Sequence, residues 1–247
     1  MTTNGQYPRA LAVSGLTVRY GATTALDRVD LDLAAGSVTG LIGMNGSGKS
    51  TFFKALMGLV RPTAGRIEMF GGAPERARAS GQVAYAPQSE EIDWTFPLSV
   101  ADVVAMGRYP HCGRSRRLRA PDRVIVAESM ERVGLTGLAG RQIGALSGGQ
   151  RKRAFVARAL AQEADLILLD EPFSGVDRAT QQVLSNLLRE LAAAGAAVLV
   201  STHDLDGLPE LCDSAALLQR RLVVHAAPEE VLRPENLARA FHTSELS

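Results

Sequence analysis

The chain opens on alternation. Leu16, Val18 and Tyr20 are separated by Thr17 and Arg19, and Val29, Leu31 and Leu33 by Asp30 and Asp32. A two-residue period predicts antiparallel strands with one wet face. The pattern then changes to short continuous apolar runs at Val38–Gly43, Val83–Ala86, Leu166–Leu169 and Ala197–Ser201. Such runs fit parallel strands buried on both faces. Helical stretches lie between them, at Ser50–Leu59, Ala101–Met106, Arg123–Val133, Arg151–Gln162 and Thr180–Ala193. Alternating strands and helices predict an α/β fold with a mostly parallel sheet and right-handed crossovers. Glu90–Gly140 offers helices and no convincing strand, so it reads as a helical insert. Leu217–His225 reads as strand–turn–strand, and Pro228–Phe241 as a closing helix with proline at its start. A single domain over residues 1–247 is expected.

Composition narrows the class. Hydrophobic residues make up 46% and charged residues 21% of 247, which suits an ordinary globular core. A net charge of +1 argues against a protein that holds nucleic acid by neutralising phosphates. The longest apolar run, Leu191–Val200, is half the roughly 20 residues a bilayer span needs. Asn4, Gln6, Pro8 and Arg9 interrupt any secretory pattern at the start. Two distant cysteines, Cys112 and Cys212, suggest a reduced compartment without a disulfide framework. Lysine is scarce: only Lys49, Lys54 and Lys152.

Ligands of open α/β sheets bind beyond the carboxyl ends of the strands, and each buried run here is followed at once by polar residues. Gly43-Met44-Asn45-Gly46-Ser47-Gly48-Lys49-Ser50 follows a strand and opens a helix, as the phosphate-loop pattern requires. Glycines let the backbone wrap closely, so its N–H groups and the helix start face a phosphate chain. Lys49 can reach the β- and γ-phosphates, and the Ser50 hydroxyl can hold Mg²⁺. Leu166–Leu169 ends in Asp170, placed to complete the Mg²⁺ shell, and Glu171, placed to orient or deprotonate a water. Leu146-Ser147-Gly148-Gly149-Gln150 precedes a helix; Ser147 reads as its N-cap, and the glycines bare backbone N–H groups for a second anion site. Two anion sites can grip one nucleotide only from facing subunits.

With these residues in order, the chain resembles the nucleotide-binding subunit of an ATP-binding-cassette (ABC) transporter over essentially its whole length. The resemblance implies a P-loop NTPase cassette with an N-terminal antiparallel β-subdomain and an inserted helical subdomain, using ATP and Mg²⁺. Tyr20 matches the aromatic that stacks on adenine. Gly43, Met44, Asn45, Gly46, Ser47, Gly48, Lys49, Ser50 and Thr51 match the phosphate loop. Gln88 matches the lid-loop glutamine, implied to serve catalysis and, with Ser50 and Asp170, Mg²⁺. Ser147, Gly148, Gly149 and Gln150 match the signature that contacts ATP across a dimer. Glu171 matches the general base, Asp177 closes the loop that crosses the dimer interface, and His203 matches the switch histidine. The implied partners are a second copy packed head to tail, integral membrane permease subunits and an extracytoplasmic solute-binding protein. The implied location is the cytoplasmic face of the membrane.

Asp93-Trp94-Thr95-Phe96-Pro97, with Val103-Val104-Ala105-Met106-Gly107-Arg108-Tyr109, resembles ATPases of manganese, zinc and iron importers. Gly107-Arg108-Tyr109-Pro110-His111 also resembles importers of iron–siderophore, haem and cobalamin. The metal cation is the preferred reading, and a non-transport ABC ATPase the remote one. Arg108, Arg114, Arg116, Arg117, Arg119 and Arg123 stand against one acid, Asp122. They read as a solvated face, with contact to anionic lipid or an acidic permease loop as the alternative. His111, Cys112, His225 and His242 are given no ligand role.

Overall fold

A computed structural model describes residues 9–88, 97–113 and 117–241. Its elements are β1 (Arg9–Tyr20), β2 (Thr23–Ala34), β3 (Val38–Ile42), α1 (Lys49–Leu56), β4 (Ala64–Met69), α2 (Pro74–Ala79), β5 (Val83–Ala86), α3 (Val100–Ala105), α4 (Ala120–Arg132), α5 (Gly148–Ala161), β6 (Leu166–Asp170), α6 (Arg178–Ala193), β7 (Ala197–Thr202), α7 (Leu208–Leu211), β8 (Ser214–Gln219), β9 (Arg221–Ala226), α8 (Pro228–Val231) and α9 (Pro234–Phe241). The alternating N-terminal strands form an antiparallel sheet in the order β2-β1-β4. The apolar runs form the second sheet, β5-β6-β7-β3-β8-β9, parallel except for its last pair.

Successive residues of a strand point to opposite faces, and the parallel strands bury both. Ile167, Leu169, Val198, Val200 and Leu217 pack with α3, α4, α5 and α6 in one core. Leu166, Leu168, Leu199 and Leu218 pack on the other side with Phe52, Phe53 and Leu56 of α1 and the inner face of the antiparallel sheet. Two cores back to back explain why these strands carry apolar residues at every position. Because β7 lies between β6 and β3, it brings Ser201 beside Asp170 and Thr202 beside Ile42. The ends of β3, β6 and β7 therefore meet at one edge.

Several expectations are corrected. The closing helix expected over Pro228–Phe241 is two helices, since Pro234 starts α9 afresh and disfavours helical geometry just before it. Helix α1 ends at Leu56, ahead of Gly58 at φ +68°, and leaves Leu59 exposed. Strand β4 was not foreseen; Ala64, Gly65 and Arg66 hide its alternation, and pairing of Val13 with Ile67 and Leu11 with Met69 fixes it as an edge. Arg108 leaves the expected solvated face. It is 6% exposed and donates to Asp122, Glu163 and the Ala161 carbonyl, so it pins the C-terminal end of α5. Arg117, Arg119 and Arg123 are exposed, whereas Arg114, Arg116, Trp94 and Phe96 lie outside the described residues.

Candidate active site

The phosphate loop is shaped by close approaches that only glycine permits. A Cβ on Gly43 would lie 2.3 Å from the Leu218 carbonyl oxygen. A Cβ on Gly48, whose φ is +103°, would lie 2.7 Å from the Ala25 carbonyl oxygen and from Leu26. The loop is thus clamped between β8 and the start of β2. Gly48 is also the N-cap of α1 and offers no side chain, and no acid occupies the first turn. The positive end of α1 is therefore bare, unlike those of α5 and α6, which Ser147 and Asp177 cap. Lys49 Nζ bridges the loop, donating to the Gly43 carbonyl at 2.7 Å and the Met44 carbonyl at 3.1 Å. Burial pulls the Lys49 ammonium below its usual pKa, and the Glu171 and Asp170 carboxylates oppose that pull. Met44, Asn45 and Gly46 are exposed at the rim; Ser50 and Thr51 are half-buried in the first turn.

The carboxylates meet this loop from β6. Asp170 is 3% exposed, accepts from Ser201 Oγ at 2.6 Å, and makes no ion pair among the described residues. Glu171 follows in a left-handed conformation, φ +53°, which costs a non-glycine residue about 1 kcal/mol. Its N–H donates to Ser201 Oγ at 2.9 Å, and its Oε2 accepts from Gln88 Nε2 at 2.9 Å. His203 Nδ1 stands 3.6 Å from the same oxygen, on a largely exposed ring. A cavity of ≈ 350 Å³ opens over Glu171, His203 and Gly175. The larger cavity of ≈ 620 Å³ between α6 and α7 is lined by none of the predicted residues.

Gln88, Asp170, Glu171 and His203 are thus brought together, with Lys49 beside the acids. The signature is shaped by its own helix cap. Ser147 caps α5, accepting from the Gln150 N–H at 3.2 Å while Gln150 Oε1 accepts from the Ser147 N–H at 3.0 Å. One helix-start N–H is therefore already satisfied by the cap. Gly149 lies against Gly175, where a Cβ would come within 3.0 Å of the carbonyl oxygen. Asp177 caps α6 by accepting from the Thr180 N–H and hydroxyl, bonds that hold its carboxyl below the usual pKa. Tyr20 ends β1, 49% exposed.

Two residues escaped the sequence reading. Ser201 holds both Asp170 and the Glu171 N–H, yet counts in sequence only as the last residue of an apolar run. Lys152 donates to the Glu171 carbonyl at 3.2 Å. The scarcity of lysine was its signal, because two of three lysines stand beside these acids.

The ABC transporter family profile matches residues 26–174. A manganese transport system ATP-binding protein of Synechocystis is 47% identical, covering 94% of this chain and 89% of its own length. A Yersinia pestis protein named for a chelated iron transport system is 46% identical, over 94% of this chain and 78% of its own. Among solved structures, a chain from a transporter described as of metal-chelate type, in an inward-facing conformation, superposes with a TM-score of 0.81 at 32% identity. It matches 95% of this chain and 89% of that one. The chain belongs to the ABC transporter family, as an ATP-binding subunit.

Proposed function

We propose that the chain hydrolyses ATP to power import of a transition-metal cation, manganese first, with iron and zinc as its close alternatives. The observation that carries the ATPase reading is the convergence of Gln88, Asp170, Glu171 and His203 beside a helix start that no side chain caps. In this reading Gly43–Thr51 and Lys49 hold the phosphates, and Tyr20 stacks on adenine. Glu171 accepts a proton from the water that attacks the γ-phosphorus, with ADP and phosphate as products. His203 and Gln88 lie on the same carboxylate oxygen, placed to hold the phosphoryl group and the water in line. Catalysis is then mostly positioning and charge stabilisation.

The donor set suits Mg²⁺. A buried carboxylate with no ion pair among the described residues, a hydroxyl on the first turn of α1 and a glutamine amide oxygen are hard oxygen ligands of the kind this ion prefers. Asp170, Ser50 and Gln88 would hold it, and it would supply positive charge against the phosphates.

Gly149 of the signature lies against Gly175 within one chain, and in the proposal a second copy packed head to tail completes each nucleotide site. No helix among the described residues is long and apolar enough to cross a membrane. In the proposal integral permease subunits complete the system and hold the chain at the cytoplasmic membrane face, with a solute-binding protein on the opposite, extracytoplasmic side. The substrate follows the manganese transport system for which the Synechocystis relative is named; the Yersinia relative favours chelated iron as the second reading. Accumulation of Mn²⁺, Fe²⁺, Zn²⁺ and chelated iron by cells with and without the protein tests this. Loss of Mn²⁺ uptake alone supports the first reading, and loss of uptake of iron only as a chelate supports the second. Unchanged uptake of all of them removes both.

A further inference from the structure

Lys152 stands on α5, shortly after the signature, while Glu171 follows β6 in the body of the sheet. The three basic residues Arg151, Lys152 and Arg153 do not act as one patch. Arg153 turns to the Val133 and Gly134 carbonyls at the end of α4. Lys152 turns to the Glu171 carbonyl oxygen at 3.2 Å. Among the described residues that oxygen otherwise accepts from the Ser174 N–H, at a longer 3.4 Å. Glu171 holds a left-handed backbone that a non-glycine residue keeps only when its surroundings impose it. Ser201 fixes its N–H and Gln88 its carboxylate. The carbonyl is the remaining handle, and the Lys152 contact to it comes from the helix that carries the signature.

We propose that Lys152 is a positioning residue. Through the Glu171 carbonyl it holds the carboxylate at the angle needed to meet the attacking water, and it ties that angle to the position of α5. Burial lowers the Lys152 pKa, and the Glu171 and Asp170 carboxylates oppose that lowering. The inference rests on Glu171 being the general base.

Steady-state ATP hydrolysis by the full chain tests it, with Lys152→Met, Lys152→Arg and Glu171→Gln, alone and combined. Lys152→Met should lower kcat about tenfold, the size expected for losing a charged hydrogen bond, with KM for ATP unchanged. Lys152→Arg, which still donates, should recover most of that rate. In the Glu171→Gln background Lys152→Met should change the residual rate no further, since it acts through that carboxylate. Wild-type kcat in Lys152→Met, a rise in KM in place of the fall in kcat, or a further tenfold loss in the double variant would each overturn the positioning role. Near-normal hydrolysis by Glu171→Gln alone would instead remove the general base, and the Lys152 role with it.

Discussion

Gly46 and Gly48 separate two costs that a phosphate loop carries at single residues. Both have positive φ, +81° and +103°, but a Cβ on Gly46 meets nothing within 4 Å, whereas one on Gly48 meets the Ala25 carbonyl oxygen at 2.7 Å. Gly46→Ala should cost about 1 kcal/mol of backbone strain, and Gly48→Ala clearly more, about 2–3 kcal/mol, because β2 must also shift. Chemical denaturation reads the stability of both, and calorimetric titration reads ATP affinity, which should fall more in Gly48→Ala. Equal effects would mean that contact with β2 does not shape the loop. The glycines, Lys49, Asp170 and Glu171 were legible in sequence because their spacing is itself the signal. Ser201 was not, since a buried hydroxyl at a strand end gains its role only from the register that sets β7 against β6.

At the scale of elements, α5 is held at both ends, by Ser147 and Gln150 at its start and by Arg108 at its finish. Gly107 lets Arg108 reach in: a Cβ there would lie 2.2 Å from the Arg158 carbonyl oxygen. Gly107→Ala should therefore destabilise the protein by about 1–3 kcal/mol, as overpacking does, and lower the thermal midpoint in calorimetry. Asp122 adds a pH dependence. A hydrogen bond from the Arg119 N–H holds its carboxyl below the usual value, burial opposes this, and Arg108 assists. A carboxyl lowered in the folded state stabilises it fully above the unfolded pKa of about 3.9 and loses that contribution as pH falls through the lower folded value. Denaturation midpoints at pH 7 and pH 3 should therefore differ less in Asp122→Asn than in wild type; an equal difference would remove Asp122 as a source of acid sensitivity. The Arg108 clamp was misread because local charge density looks the same whether an arginine faces water or a helix end.

At the scale of the whole molecule, hydropathy alone separated the antiparallel sheet, the buried parallel strands and most of the helices. It missed β4, where glycine and arginine hide the alternation, and it merged α8 with α9 across Pro234. In the proposed dimer, each complete site draws on two chains. Gly149 of the signature lies against Gly175, and the signature is proposed to complete the phosphate site of a second copy. The difference in ATP affinity between separated and joined copies would then be the free energy available to move a membrane partner. Sedimentation velocity of Glu171→Gln with and without ATP tests that claim most directly, read beside its hydrolysis rate. Glu171→Gln should double in mass with ATP and hydrolyse it about 10²–10⁴-fold more slowly than wild type, the scale of general-base catalysis. A variant that stays monomeric with ATP, or that hydrolyses it at the wild-type rate, would contradict it.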